Sequence, residues 1–167
     1  ILKHDDYVVF ESVAVLYYLD LKYPEPPIFG RTAEEAGVIM RVICEFEAYA
    51  EDHLMKIVRA LFEGGVNETN IGELTRAMLA VASEARTIEG RLSKGDWIVG
   101  DAYSAVDMVV FPAIQVLLRA LKKPGAGVLA SRFLPVEVNY PALGRWLDRV
   151  AALPGYGKTR PPHWHTS

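Results

Sequence analysis

The chain has 167 residues, 51% of them hydrophobic and 23% charged, with 18 basic against 21 acidic side chains and a net charge of −3. That is one domain or slightly more with enough apolar content to bury a core, so default disorder is excluded. The small, evenly spread charge gives no electrostatic footprint for nucleic acid or an anionic membrane, and neither is expected as a partner. The longest apolar stretch, Val106 to Leu121, carries Asp107, Gln115, Arg119 and Pro112. It falls short of the roughly 18 to 20 clean residues a membrane span requires, and a soluble protein is expected.

Cys44 is the single cysteine, so no internal disulfide forms, and its neighbours Val42, Ile43 and Phe46 predict a buried, inert thiol. A reducing, cytoplasmic compartment fits that usage. No basic segment followed by an apolar run opens the chain, so no signal peptide is read. It starts instead at Ile1-Leu2-Lys3, inside an apparent strand, and is expected to be the remainder of something longer.

Ile1 to Lys3 and Tyr7 to Phe10 are β-favouring runs around His4-Asp5-Asp6, which predicts a hairpin. A lone hairpin is marginal in water, so these strands are expected to edge a larger sheet. Ser12 stands at a helix N-cap position, and the apolar run Val13 to Leu21 carries a helix to Tyr23. Pro24-Glu25-Pro26-Pro27 ends that helix and reads as an interdomain linker.

Thr32 and Glu35 form a predicted capping box that opens a long helix, with Ile39, Ile43, Phe46, Ala50, Leu54, Ile57, Val58 and Leu61 on its buried stripe up to Gly64-Gly65. A second long helix, Thr69 to Leu92, places Leu74, Met78, Val81, Ala85, Ile88 and Leu92 on a seam for another helix. Periodicity of this kind reports core before ligands. Tyr49 and His53, one turn apart on the first long helix, are the polar candidates for lining a pocket.

Ser104 and Asp107 make a further capping box, with Tyr103 positioned to staple against Met108, and a helix is predicted from Ala105 to Leu121 with a kink at Pro112. Lys122-Lys123-Pro124-Gly125 ends it. A last helix starts with Pro141 in its first turn, buries Leu143, Trp146, Leu147 and Val150, and stops at Pro154-Gly155. The rest is expected to be a flexible tail, in which His163 and His165 lack the further ligands a metal site needs.

No nucleophile elbow, phosphate-cradling glycine loop, zinc spacing or dinucleotide fingerprint occurs. Ser104 and Asp107 match a capping box, so their reading is structural. Glu11-Ser12 is different, because a polar pair between a strand and a helix N-terminus sits where free amides and the helix dipole attract a carboxylate.

The run from Ile1 to Leu19, with Glu11-Ser12 at its centre, resembles the later strands and third helix of the thioredoxin-like domain of cytosolic glutathione transferases. The following linker, two long helices, Gly100 loop, Ser104 and Asp107 box and Tyr140-Pro141 to Trp146 helix resemble that family's all-α C-terminal domain, to about Gly157. One departure is Val106, where the family usually has alanine before the capping aspartate.

The resemblance implies a mainly α chain: an all-α helical bundle preceded by a β-hairpin and helix remnant of a thioredoxin-like α/β domain. Residues 1–23 form that remnant, 24–30 the linker, 31–158 the bundle and 159–167 the tail. Glutathione, as cosubstrate, is assigned to Ile1, Glu11 and Ser12, with the Ser12 hydroxyl and amide receiving the γ-glutamyl carboxylate. Tyr49 and His53 are the picks for the hydrophobic-substrate wall, and no metal is implied.

The thiol-activating residue of the family is expected upstream of Ile1, so the intact protein would conjugate glutathione to hydrophobic electrophiles while the chain as given would be inactive. A two-fold homodimer is implied. Two alternatives remain at this point: a non-catalytic binding or assembly module on the same fold, and a glutathione-dependent isomerase, peroxidase or disulfide reductase.

Overall fold

The computed structural model describes residues 1–164. It opens on the predicted hairpin, β1 (Leu2–His4) and β2 (Tyr7–Val9), antiparallel with Leu2 opposite Val9 and His4 opposite Tyr7. The Asp5-Asp6 turn uses a positive φ of 53° at Asp5, which an Asp tolerates better than most residues. Helix α1 (Ser12–Lys22) packs across it: the His4 Nδ1 and Tyr18 hydroxyl are 2.5 Å apart, and the Tyr7 and Tyr18 rings lie 5.1 Å apart.

The start of α1 corrects one expectation. Ser12 is the first helical residue and not the N-cap; Glu11 takes the cap position with φ 68° and ψ 126°, and no side chain caps the helix there. The linker then folds back onto both neighbours. Asp20 Oδ1 accepts the Ile28 amide at 2.6 Å, the Tyr17 ring meets Phe29 edge-on, and the Ile28 carbonyl accepts the Ala105 amide at 2.8 Å. Gly30 makes the last turn at φ 85°, and a Cβ there would stand 2.5 Å from Glu35 Cβ.

Helix α2 (Ala33–Phe46) begins with half of the predicted box. The Thr32 hydroxyl accepts the Glu35 amide at 3.2 Å, but the Glu35 carboxylate reaches one residue further back and accepts the Arg31 amide at 2.6 Å. The long helix then continues through a π-helical turn at Glu47–Glu51, α3 (Asp52–Arg59) and a second π-helical turn at Ala60–Gly64. Gly65 ends it at φ 72°, its amide bonding five residues back to Ala60. All eight predicted stripe residues are buried.

Helix α4 (Ile71–Leu92) buries its predicted seam against α3 and the first π-helical turn. Helix α5 (Ala105–Leu121) carries Pro112 internally and packs on α2 and α3. Two short helices that lack a recognisable periodicity follow, α6 (Gly127–Ala130) and α7 (Val136–Asn139). Helix α8 (Pro141–Ala151) buries Leu143, Trp146, Leu147 and Val150 as expected. Its amide-rich start is satisfied from another helix: Glu89 of α4 accepts the Ala142 and Leu143 amides at 2.9 and 2.8 Å.

Two further expectations are corrected. Cys44 is exposed, because it falls one position past the buried pair Val42 and Ile43 and points off the core stripe. Among the described residues of the expected tail, α9 (Tyr156–Thr159) and a 3-10 turn at Pro162–Trp164 are folded. The Trp164 ring lies 4.4 Å from the Arg119 guanidinium. His165 lies outside the described residues, and among the described residues no group of His, Cys, Asp and Glu is arranged to hold a metal. Among the described residues no helix is long and apolar enough to cross a membrane.

Candidate functional site

The first intrahelical bond of α1 is the Val15 amide to the Glu11 carbonyl at 2.9 Å. Helix geometry leaves the amides of Ser12, Val13 and Ala14 ahead of it, at the positive end of the dipole. Both Glu11 and Ser12 are exposed, so a carboxylate has access to those amides and to the Ser12 hydroxyl. A glutamate at positive φ is unfavourable for an L-residue, and here it sits at the junction of strand and helix, where it turns the chain sharply into α1.

Ile1, 97% exposed, stands opposite Phe10 at the open end of the hairpin when the register is extended by one residue, next to Glu11 in the chain. The three residues predicted from the resemblance therefore share one end of the hairpin and helix. The bundle reaches this end too. The Glu47 carboxyl titrates above the usual carboxylate range, through burial first and then the negative charges of Glu51 and Glu11. Glu11 thus lies within electrostatic reach of the first π-helical turn.

Tyr49 belongs to that turn and is 63% exposed, while His53, on α3, is partly buried. Neither lines the clefts described below. The π-helical turn was not legible in the sequence.

Ser104 and Asp107 form the expected capping box. The buried Asp107 carboxylate collects more than a box needs: Oδ2 accepts the Ser104 amide at 2.9 Å and the Ser104 hydroxyl at 3.1 Å. Oδ1 accepts the Trp146 indole at 2.8 Å and the Ile98 amide at 3.3 Å. One side chain joins the loop before α5, the start of α5 and the middle of α8. Burial pushes its pKa up, opposed by those four hydrogen bonds. Tyr103, the expected staple, packs its ring against Trp97 at 5.3 Å.

A cleft of about 510 Å³ opens between the linker, the first turns of α2 and the loop before α5. Val38, Ile39, Val99 and Tyr103 line its apolar part, and Glu34, Glu35, Asp101 and Arg31 stand in its wall. A second cleft of about 750 Å³ shares Val38, Val99 and Gly100 with it and continues toward the end of α4.

This fold has known counterparts. The family described as glutathione S-transferase, C-terminal domain, matches residues 51–154, and the chain belongs to the cytosolic glutathione transferase family. A probable glutathione transferase omega-2 of Caenorhabditis elegans is 28% identical over 96% of this chain and 61% of its own length. Glutathione S-transferase F10 of Arabidopsis thaliana is 28% identical over 74% of this chain and 59% of its own length. The chain thus spans about three fifths of the curated relatives it matches. Among solved structures, poplar glutathione transferase F1 superposes with a TM-score of 0.73 at 18% identity, covering 93% of this chain and 69% of that one. A Burkholderia graminis glutathione transferase, solved with two glutathione molecules bound per subunit, gives 0.73 at 21% identity over 90% of this chain and 58% of that one.

Proposed function

We propose that the whole protein is a cytoplasmic glutathione transferase that joins glutathione to hydrophobic electrophiles, and that Ser12, Glu11 and Ile1 hold the tripeptide. The observation that carries this reading is the exposed Glu11-Ser12 pair at the N-terminus of α1, with Glu11 at φ 68° and the leading amides of the helix open to an anion. Family membership and the glutathione bound to the Burkholderia graminis protein support it.

In this reading the Ser12 hydroxyl and amide receive the γ-glutamyl carboxylate, and the Ile1 backbone pairs with the cysteinyl part. The sulfur attacks the electrophilic carbon, a carbon–sulfur bond forms, the leaving group departs with its electron pair and the thiol proton passes to solvent. No residue of the chain is assigned the activation of the thiol. Tyr49 and His53 are proposed for the wall facing the electrophile, because Glu47, in the turn that carries Tyr49, feels the charge of Glu11. A two-fold homodimer is proposed with it.

The test is consumption of glutathione by the full-length protein in the presence of an aryl halide, followed by the absorbance of the thioether. Turnover that saturates with glutathione is expected. Glutathione binding without turnover on aryl halides, epoxides, peroxides or mixed disulfides would instead assign a non-catalytic binding module. Loss of halide turnover alone, with reduction of a peroxide or disulfide, would move the protein to the reductase reading.

A further inference from the structure

We infer that His4 and Tyr18 are positioning residues for the glutathione site: their hydrogen bond sets the spacing between the strand that meets the cysteinyl part and the helix that meets the γ-glutamyl part, so that one molecule engages both. The inference rests on the reading of Ile1 and Ser12 as glutathione contacts. It assigns neither His4 nor Tyr18 a contact with the ligand.

Ile1 and Ser12 belong to different elements, one just ahead of β1 and the other at the first position of α1. The pair of His4 Nδ1 and the Tyr18 hydroxyl, 2.5 Å apart, is the only side-chain hydrogen bond joining the hairpin to α1 among the described residues. Tyr18 also packs its ring on Tyr7 at 5.1 Å, and Tyr7 is the residue opposite His4 in the hairpin. One side chain of α1 therefore grips both strands at the turn end, away from Ile1 and Phe10. Asp5 Oδ2 lies 3.7 Å from the other ring nitrogen of His4, Nε2. That carboxylate favours the tautomer protonated at Nε2 and leaves Nδ1 to accept from the Tyr18 hydroxyl.

Val13, Leu16 and Asp20 anchor α1 to the bundle and the linker, so the hairpin is the partner whose placement the clamp decides. A strand advances about 3.3 Å per residue and a helix about 1.5 Å, which puts Ile1 and Ser12 each about 10 Å along the chain axis from the clamp. Over such an arm a swing of about 10° shifts Ile1 by about 2 Å, several times the roughly 0.5 Å that a binding constellation tolerates. Strands of three residues do little by themselves to resist that swing. A tripeptide held at both ends gains from its second contact only when the spacing of the two is fixed. A fragment that touches one end alone is indifferent to it.

NMR titration of the full-length protein with glutathione, cysteinylglycine and γ-glutamylmethylamide tests the inference. Tyr18→Phe and His4→Gln are expected to weaken glutathione about three- to tenfold, the worth of one hydrogen bond between neutral groups, and to leave both fragments unchanged. The His4 side chain is 35% exposed, so its replacements are compatible with the fold. His4→Asn sets its amide where Nδ1 stood and is expected to keep the natural glutathione affinity, whereas Gln sets the amide nearer the place of Nε2. Ser12→Ala has a different signature: it weakens glutathione and γ-glutamylmethylamide together. Natural glutathione affinity in Tyr18→Phe and His4→Gln, with Ser12→Ala impaired, overturns the clamp and leaves the glutathione site standing. A loss shared by both fragments, or one that His4→Asn does not restore, also overturns it, because a pair that only stabilised the fold would behave so. Natural glutathione affinity in Ser12→Ala overturns the site, and the clamp with it.

Discussion

The Trp146 indole donates to Asp107 Oδ1 at 2.8 Å, linking residues 39 positions apart in the chain at the centre of the bundle. Both side chains are fully buried, and the same carboxylate also takes the Ile98 and Ser104 amides and the Ser104 hydroxyl. Removing it strands several buried donors at once. Asp107→Ala is expected to cost about 3 to 5 kcal/mol, whereas Trp146→Phe, which removes one donor and leaves the carboxylate with three, costs nearer 1 to 2 kcal/mol plus any packing change. Urea unfolding of both variants measures the difference; equal losses would show that the ring and not the hydrogen bond matters.

The same carboxylate sets a pH dependence. Burial raises its pKa in the folded protein above the unfolded value near 3.8, against the pull of its hydrogen bonds. A raised native pKa means that the folded state binds the proton more tightly. Stability from this group is then highest below the unfolded value and declines as pH rises through the native one. The advantage of the natural protein over Asp107→Asn is therefore expected to be larger at pH 4 than at pH 7. A gap that widens toward pH 7 would reverse the sign and contradict the assignment.

Glu89 caps a helix it does not belong to. Glu89→Ala leaves the Ala142 and Leu143 amides of α8 without their acceptor, a loss of about 1 to 3 kcal/mol. Glu89→Gln keeps an oxygen and is expected to lose less. Denaturant midpoints check the order, and equal stability of the natural protein and Glu89→Ala would remove the cap from the account.

Cys44 is exposed, so a colourless aromatic disulfide is expected to modify it in the folded protein at a rate close to that in denaturant. Strong protection would mean that something covers this face of α2 in solution, with a second copy of the chain the first candidate to check by light scattering.

Cys44 also shows where sequence reading loses resolution. Its neighbours Val42, Ile43 and Phe46 are buried, and on a helix a one-residue step turns a side chain by about 100°, so apolar company in the chain did not mean apolar company in space. The long stripes were legible because burial repeats along them, from Ile39 to Leu61 and from Leu74 to Leu92. The Ser104 and Asp107 box was legible because local hydrogen bonds need fixed spacing, but its reach to Trp146 and Ile98 was not, since both bonds depend on tertiary packing. At the candidate site the pair Glu11-Ser12 was visible, while the turn at Glu11 and the displacement of Ser12 into the helix were not. A positive φ at a glutamate has no sequence signature. The short helices α6 and α7 escaped for a related reason, as four residues are too few to establish a period.

The central claim is that the start of α1 binds the γ-glutamyl carboxylate, and the most direct measurement is calorimetric titration of glutathione into the full-length protein and its Ser12→Ala variant, with cysteinylglycine as control. Losing one charge-assisted hydrogen bond of about 1.5 to 3 kcal/mol predicts glutathione affinity weaker by about ten- to a hundredfold in the variant. Cysteinylglycine, which lacks the γ-glutamyl end, is expected to bind both proteins alike. Unchanged glutathione affinity in Ser12→Ala, or an equal loss for cysteinylglycine, would contradict the site.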